Sequence, residues 1–390
     1  MATILTWRLG ALGDTLLLLP ALAALRATFP AHTIVTAGAP SALAPARWQG
    51  LVDEVLDADA GALAPLSIGE PPAPGILPPD IEVAVVWSMR AAELARGLER
   101  AGARRTLSAP AIVADQTPMA EHYLATLAPL GVRPVPFALR APAEARVGTA
   151  RAWQDATGLD AASARANLPV VLLHPGAGSP TKQWPLERYR ELARRLRAGG
   201  AAVVWTAGPA DEGIRVRLAA EGEREYTLPP LAIAGLAAVV ERAAVVVSGD
   251  CGLAHLAALL GVHSVALFGP TSPRVWGPPS ARATVVRLAL PCAPCGAVAL
   301  QCPSRICLRG LSADAVYAAV QAGIARWKGE GDTRGEVSSM GWEGKARHPL
   351  PSRPADCHPP APAPAPPGAL RAAVWGSPDK WEFRPSTGPE

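Results

Sequence analysis

A chain of 390 residues with 49% hydrophobic and 18% charged residues is long enough for two domains with buried cores. Its formal net charge of +4, without a dense Lys/Arg stripe, does not indicate a nucleic-acid partner. Six cysteines in a chain of this length do not indicate a secreted disulfide scaffold.

The N-terminal segment predicts a strand, a turn and an apolar helix. The strand is TILTW at residues 3–7, the turn is RLGALGD, and the helix covers about 15–28. Arg8 and Asp14 interrupt the apolar run and a basic n-region is missing, so the segment does not match a secretory signal. The run TLLLLPALAAL is too short to span a bilayer and contains Pro20. We therefore expect a soluble, cytoplasmic protein.

The alternation of strand, small-residue loop and helix continues along the chain. In the first half it predicts strands at 33–38 and 82–87 and a helix at 91–102. In the second half it predicts strands at 170–173, 202–208, 244–250 and 264–270, with helices at 185–196 and 252–261. The helix at 185–196 carries four large apolar or aromatic side chains on one stripe, namely Leu186, Tyr189, Leu192 and Leu196.

Apolar strands that alternate with helices indicate an α/β protein whose parallel sheets are covered on both faces. The two blocks predict two doubly wound, Rossmann-like domains at residues 1–165 and 166–328. In such domains ligands bind at the carboxyl ends of the strands, here in a central cleft. Residues 329–390 are rich in Gly, Pro and charge without periodicity, which predicts a disordered tail.

The segment HPGAGSPTKQWP between strand 170–173 and the next helix is typical of a phosphate-binding loop. Gly176 and Gly178 allow close backbone approach and positive φ angles. Ser179, Thr181 and Lys182 add hydroxyl groups and a positive charge, and the following helix adds free N–H groups. The loop matches neither a Walker A motif nor G-x-G-x-x-G, and an ordinary tight turn stays open as an alternative.

Two further turns carry residues that can take part in chemistry. In SGDCGLAH, Asp250 and Gly252 follow a strand and His255 comes one helical turn later. Asp250 can bind a ligand or cap the helix, and His255 can bind a ligand or fill the core. In RLGALGD, Asp14 lies where the strand turns into the helix, as a helix cap or as a general base facing the second domain.

These three segments, in this order, resemble glycosyltransferase family 9, the heptosyltransferases of lipopolysaccharide synthesis. The resemblance covers about residues 3–328 and is patchy between 40 and 165. It implies a GT-B fold, in which two Rossmann-like domains hold a nucleotide-sugar between them. It also implies that a heptose or related sugar moves from an ADP-sugar to a lipid-linked core oligosaccharide, with inversion and without a metal ion or other required cofactor.

The resemblance also implies a role for particular residues. It implies that Asp14 is the general base and that Lys182 binds the donor phosphates. It implies that four residues of the late block bind the nucleotide and the diphosphate, namely Asp250, Cys251, Gly252 and His255. Cys251 stands where many members of the family have Thr or Ser, so a hydroxyl contact is lost and only the backbone N–H remains for phosphate.

The acceptor is expected on the first domain, near Gly13 and near Ser88 and Arg90 in WSMR after strand 82–87. Because the family acts on lipid-anchored sugars, we expect peripheral contact with the inner face of the plasma membrane, and a monomer. Two alternatives remain. A nucleotide-dependent oxidoreductase would carry G-x-G-x-x-G after the first strand, where this chain supplies only Gly10 and Gly13. The second alternative is a relative that binds nucleotide-sugars without catalysing a reaction.

Four cysteines lie within sixteen residues in CAPCGAVALQCPSRIC. Cys292, Cys295, Cys302 and Cys307 could hold a structural zinc ion or an iron–sulfur cluster. The irregular spacing leaves disulfides or reduced thiols as alternatives.

Overall fold

The computed structural model describes residues 2–113, 116–158, 168–223 and 226–329. Their strands form two five-stranded sheets in which all neighbouring strands are parallel. The first sheet contains β1 (Thr3–Trp7), β2 (Thr33–Gly38), β3 (Glu54–Asp57), β4 (Ile81–Trp87) and β5 (Arg105–Ala109), in the order β3-β2-β1-β4-β5. The second contains β6 (Val170–His174), β7 (Ala202–Trp205), β8 (Val245–Gly249), β9 (His263–Leu267) and β10 (Ala283–Val286), in the order β10-β9-β8-β6-β7. The α/β class predicted from the strand pattern is confirmed.

Thirteen α-helices in the described residues cover the sheets. Those before the second sheet are α1 (Leu12–Thr28), α2 (Pro40–Trp48), α3 (Ala91–Arg100), α4 (Met119–Leu127), α5 (Ala143–Gly148) and α6 (Ala150–Thr157). The others are α7 (Leu186–Ala198), α8 (Glu212–Ala220), α9 (Ile233–Val240), α10 (Gly252–Leu259), α11 (Pro273–Trp276), α12 (Ile306–Arg309) and α13 (Ala313–Gly329). None of these helices combines the length and the apolar character needed to cross a membrane.

Helix α1 is apolar around most of its circumference because neighbours pack on several sides. Its residues from Thr15 to Leu25 are all buried, and it contacts α2, α4 and α10. A helix that is hydrophobic all round belongs in a protein interior or a membrane. Here α10, which follows β8 of the second sheet, provides part of that interior. Helix α7 shows the opposite pattern, since only its predicted stripe and the adjacent Ala193 are buried.

The segment after α4 packs on α9 and α10, two helices that belong with the second sheet. The Leu139 N–H donates to the Leu259 carbonyl at 2.9 Å, and the Arg146 guanidinium pairs with Glu241 at 2.7 Å. Trp153 on α6 is 1% exposed. The domain boundary predicted at 165/166 lies outside the described residues. The predicted tail lies almost wholly outside them as well, since α13 ends at Gly329.

Candidate functional site

The first turns of α1 and α10 touch each other at two glycines. A Cβ on Gly13 would lie 3.2 Å from His255 Cδ2 and 3.6 Å from Gly252 Cα. A Cβ on Gly252 would lie 2.8 Å from Leu12 Cγ. The missing side chains therefore let the two helix N-termini approach closely. Since α1 follows β1 and α10 follows β8, this contact brings the carboxyl edges of the two sheets to one place.

Asp14 lies in the first turn of α1 and is not its N-cap. The helix begins at Leu12 after the N-cap Ala11, and Asp14 Oδ2 accepts the Ala11 N–H at 3.0 Å. Asp14 is therefore the third helical residue, where an acidic side chain can bond back to the N-cap amide. Its carboxylate is 25% exposed, so one face of it remains open to a ligand.

A buried arginine orients Asp14. Arg8, which directly follows β1, is 4% exposed, and its Nη2 lies 3.5 Å from Asp14 Oδ1. Its Nε donates to the Tyr123 hydroxyl at 2.9 Å, and its Nη1 donates to the Leu9 carbonyl. Tyr123 lies on α4, and its burial raises the pKa of its hydroxyl, so it stays neutral. Sequence reasoning treated Arg8 only as an interruption of an apolar run, and it did not single out Tyr123.

Lys182 and Asp250 form the centre of the site on the second sheet. Lys182 Nζ lies 2.8 Å from Asp250 Oδ2, and the Thr271 hydroxyl donates to the same oxygen at 2.7 Å. Asp250 is 7% exposed, whereas the side chain of Lys182 is 32% exposed. A Cβ on Gly249 would lie 2.8 Å from the Lys182 carbonyl oxygen, so the lysine-bearing turn rests directly on the end of β8. Asp250 precedes the N-cap of α10, which is Cys251.

His255 lies among charged groups from both halves of the chain. It is 3% exposed, and burial lowers its pKa to about 4. The carboxylates of Asp250 and Asp14 oppose that shift, and the Lys182 ammonium adds to it. The imidazole is therefore neutral near pH 7, and its buried Nδ1 has no hydrogen-bond partner among the described residues. His255 can offer a neutral hydrogen bond to a ligand but not a positive charge.

The glycines of the predicted phosphate loop act differently from what the sequence predicts. Neither Gly176 nor Gly178 uses the positive φ that glycine allows, since neither belongs to the glycines with positive φ. A Cβ on Gly176 would lie 2.0 Å from Asp211 Oδ2, so this glycine makes room for a carboxylate. A Cβ on Gly178 would meet nothing within 4 Å. Close approach therefore matters at Gly176 alone.

The two hydroxyl residues of this loop bind each other. Ser179 Oγ and Thr181 Oγ1 lie 2.9 Å apart, and Ser179 Oγ also accepts the Thr181 N–H at 3.3 Å. These bonds stabilise a short 3₁₀ turn, Pro180–Lys182, which separates β6 from α7 and carries Lys182. The turn thus presents the lysine to Asp250, while α7 begins only at Leu186.

The pKa of His174, the last residue of β6, is raised, because the influence of Cys251 at the start of α10 and of Asp211 outweighs the opposing effect of burial. The His174 Nδ1–H donates to the Thr206 carbonyl at 3.0 Å, and its Nε2 lies 4.0 Å from Asp211 Oδ2. Sequence reasoning named Cys251 but missed His174 and Asp211. His174 stands in the quoted HPG segment, yet nothing in the local sequence links it to a cysteine 77 positions later.

The residues predicted for the acceptor lie at the carboxyl edge of the first sheet. Ser88 and Arg90 follow β4, which neighbours β1, and Gly13 faces His255. The Arg90 N–H donates to Ser88 Oγ at 3.1 Å, and the Arg90 guanidinium donates to the Ser67 carbonyl at 3.5 Å. These bonds hold the two residues on their own loop rather than against Asp14.

The four clustered cysteines are not arranged as a metal site in the part of the chain that the structure describes, which was one of the possibilities left open by the sequence. Within the described ranges, no three His, Cys, Asp or Glu side chains are arranged to hold a metal ion. Cys302 Sγ instead accepts the Arg305 N–H at 3.4 Å and contacts the Ser304 hydroxyl. Cys307 is buried, whereas Cys292 is exposed, and all four are free thiols. Their different surroundings explain why they do not converge.

The sequence of this chain resembles those of known proteins. The sequence profile of glycosyltransferase family 9 (heptosyltransferase) matches residues 76–302, more than half of the chain. Lipopolysaccharide heptosyltransferase 1 of Pseudomonas aeruginosa is 40% identical over 127 residues, which are 32% of this chain and 36% of that protein. The matched region thus spans about a third of that curated relative.

Solved structures resemble the fold over almost their entire length. A glycosyltransferase of family 9 from Veillonella parvula has a TM-score of 0.65 at 20% identity, covering 83% of this chain and 98% of that one. The ADP-heptose lipopolysaccharide heptosyltransferase II of E. coli has a TM-score of 0.60 at 20% identity, covering 84% and 100%. These similarities confirm the GT-B fold with its two parallel-sheet halves. The chain belongs to glycosyltransferase family 9, the heptosyltransferase family.

Proposed function

We propose that the protein transfers a heptose from an ADP-sugar to a lipopolysaccharide-core acceptor, with inversion and without a metal ion. One observation carries the proposal. The contact between α1 and α10 places the Asp14 carboxylate of the first half close to His255, beside the Lys182–Asp250 pair of the second half. A base and a phosphate-binding cation thus belong to one site. The named activities of the relatives, lipopolysaccharide heptosyltransferase 1 and an ADP-heptose heptosyltransferase, support the same choice of substrates.

The donor diphosphate would bind at the start of α10. The free N–H groups at this end and the positive end of the helix dipole favour an anion. Lys182 supplies a full positive charge, and its 32% exposed side chain can turn from Asp250 toward a phosphate. The backbone N–H groups of Cys251 and Gly252, the neutral His255 and the loop with Gly176, Gly178, Ser179 and Thr181 complete the donor side. Charge that develops on the leaving ADP is thereby stabilised by the protein.

Asp14 would act as the general base. Its carboxylate takes the proton of the acceptor hydroxyl while that oxygen bonds to the anomeric carbon. The bond from this carbon to the donor phosphate oxygen breaks, and ADP leaves with the electron pair. Attack on the face opposite ADP inverts the configuration. Arg8 and the Ala11 N–H fix the carboxylate from behind, which leaves its exposed face for the acceptor.

The acceptor would approach over Gly13, Ser88 and Arg90. Its lipid anchor would place the protein at the inner face of the plasma membrane, as a cytoplasmic and peripheral protein. We also propose that the protein acts as a monomer.

A transfer assay tests the proposal. Purified protein is incubated with ADP-, GDP- or UDP-linked heptose and a truncated core lipid, with and without a metal chelator. We expect transfer from the ADP-sugar in both cases.

Asp14→Asn should lower kcat about 10²–10⁴-fold, the usual contribution of a general base, with ADP affinity by calorimetry unchanged. Asp59→Asn, in an exposed loop, is the matched control. Nucleotide binding without transfer from any donor would instead favour a non-catalytic relative, and wild-type turnover of the Asp14 variant would remove it from the mechanism.

A further inference from the structure

A cavity opens between the start of α7, helix α8 and helix α12. Its volume is about 310 Å³, at the lower end of the range of roughly 300–1,000 Å³ for small-molecule sites. Pro180, on the turn that carries Lys182, belongs to its wall, but among the described residues neither Lys182 nor Asp250 does. The cavity is therefore separate from the proposed donor site, although the two share one turn.

Three arginines line this cavity, namely Arg217, Arg305 and Arg309. Glu187 is the one acidic residue in the described part of the wall, and Arg217 Nη2 donates to its Oε1 at 2.6 Å. Its own backbone N–H and Arg217 lower the pKa of Glu187, so this carboxylate is charged near pH 7. Three guanidinium groups against one carboxylate leave two positive charges in the wall without a counter-ion.

The two remaining positive charges lie next to each other. The Arg309 N–H donates to the Arg305 carbonyl at 2.9 Å, so the two side chains stand four residues apart on the same side of a helical turn. Like charges in this arrangement repel each other. The Arg305 guanidinium donates to the Pro180 carbonyl at 3.0 Å, whereas that of Arg309 has no partner among the described residues. An anion between them would bind both and remove the repulsion.

The backbone of Arg305 adopts a conformation that arginine rarely takes. Its φ of 45° and ψ of 37° lie in the left-handed region, which is strained for a residue with a Cβ. Cys302 Sγ accepts the Arg305 N–H at 3.4 Å and helps to hold this conformation. Such strain persists only where the surrounding structure imposes it, and it is concentrated at binding and catalytic sites. Here it occurs at the residue that brings a guanidinium to the cavity.

We propose that this cavity binds a phosphorylated small molecule, with the phosphate between Arg305 and Arg309. The planar guanidinium group matches phosphate with paired N–H donors, and hydrogen bonds between charged groups are the strong ones. The carbon skeleton would lie against the apolar part of the wall, which includes Pro175, Pro185 and Ile214. The inference does not rest on the proposed function, because it uses none of the residues of the donor site.

Calorimetry with glucose 6-phosphate at constant ionic strength tests the cavity. We expect Arg309→Gln to weaken the binding about tenfold or more, because a charged hydrogen bond to the phosphate is lost. Arg194→Gln, which removes an exposed arginine of α7 outside the cavity wall, is the matched control and should leave the Kd unchanged. Lys182→Gln should leave it unchanged as well. Inorganic phosphate should bind more weakly than glucose 6-phosphate, because it has no skeleton to contact the wall.

The outcomes separate the cavity from the donor site. Equal Kd values for glucose 6-phosphate in wild type and Arg309→Gln, or no binding to the wild type, would overturn the inference. Loss of binding in Lys182→Gln alone would also overturn it, since the phosphate would then occupy the donor site. Calorimetry with ADP on the same variants tests the proposed function separately. If ADP does not bind, the proposed function fails, while binding of glucose 6-phosphate that depends on Arg309 would still support the cavity.

Discussion

Replacing His255 with glutamine is expected to remove an acid sensitivity that the buried imidazole creates. In the folded protein the pKa of His255 is lowered from 6.5 to about 4 by burial. In the unfolded chain it takes a proton as the pH falls below 6.5, so protons favour unfolding through that range. The stability that the neutral imidazole provides is present above pH 6.5 and is lost as the pH falls toward 4.

The size of this effect follows from the pKa difference. A difference of about 2.5 pH units at 1.36 kcal/mol each corresponds to about 3 kcal/mol. Glutamine keeps a polar group near the position of Nε2 but does not titrate. The difference in free energy of unfolding between wild type and His255→Gln should therefore shrink by about 3 kcal/mol between pH 7 and pH 4. Urea unfolding followed by tryptophan fluorescence at several pH values measures it.

His174 supplies the matched control, because its pKa is raised rather than lowered. The stability it contributes is present at low pH and is lost as the pH rises through its folded pKa. His174→Gln should therefore change the pH dependence in the opposite direction. A wild-type-minus-His255→Gln difference that stays constant from pH 7 to 4 would refute the claim that burial keeps this imidazole neutral.

Two further predictions concern a glycine and an arginine. Gly176→Ala should destabilise the fold by about 1–3 kcal/mol, because its Cβ would overlap the Asp211 carboxylate, whereas Gly178→Ala at the open position should be nearly neutral in thermal unfolding. Equal melting temperatures of the two variants would contradict the predicted close approach. Arg8→Lys should lower kcat by about 10- to 100-fold, with the Kd for ADP unchanged, because lysine loses the charged hydrogen bonds to Tyr123 and the Leu9 carbonyl that hold the cation beside Asp14. A normal kcat would mean that Arg8 only fills space behind Asp14.

The sequence predicted the inner strands and the buried edge strand β7, and it missed the other three edge strands. β1, β4, β6, β8 and β9 are almost entirely buried, so they appear as continuous apolar runs. β3, β5 and β10 lie at edges and are half-exposed, and their mixed composition carries no such signal. A strand that has only one neighbour needs less burial, so its residues are less constrained.

The site shows the same division between local and long-range information. Asp14, Lys182 and Asp250 were found because each lies shortly after a recognisable strand, in a segment that resembles a segment of the family. The partners that orient the site come from far along the chain, as with Tyr123 for Arg8 and Thr271 for Asp250. Their side chains have no local pattern that marks them, since only the folded arrangement of the sheets brings them close.

The Lys182–Asp250 ion pair has a consequence for the release of spent nucleotide. A diphosphate that enters the proposed site must compete with Asp250 for the Lys182 ammonium group, whose Nζ lies 2.8 Å from Asp250 Oδ2. When ADP departs, the carboxylate takes its place, so the lysine is not left as an uncompensated charge. Thr271 keeps the carboxylate in position for that exchange. At the proposed site, the pair would therefore lower the affinity for ADP while leaving Lys182 available for the next donor, which would favour rapid turnover over tight retention of product.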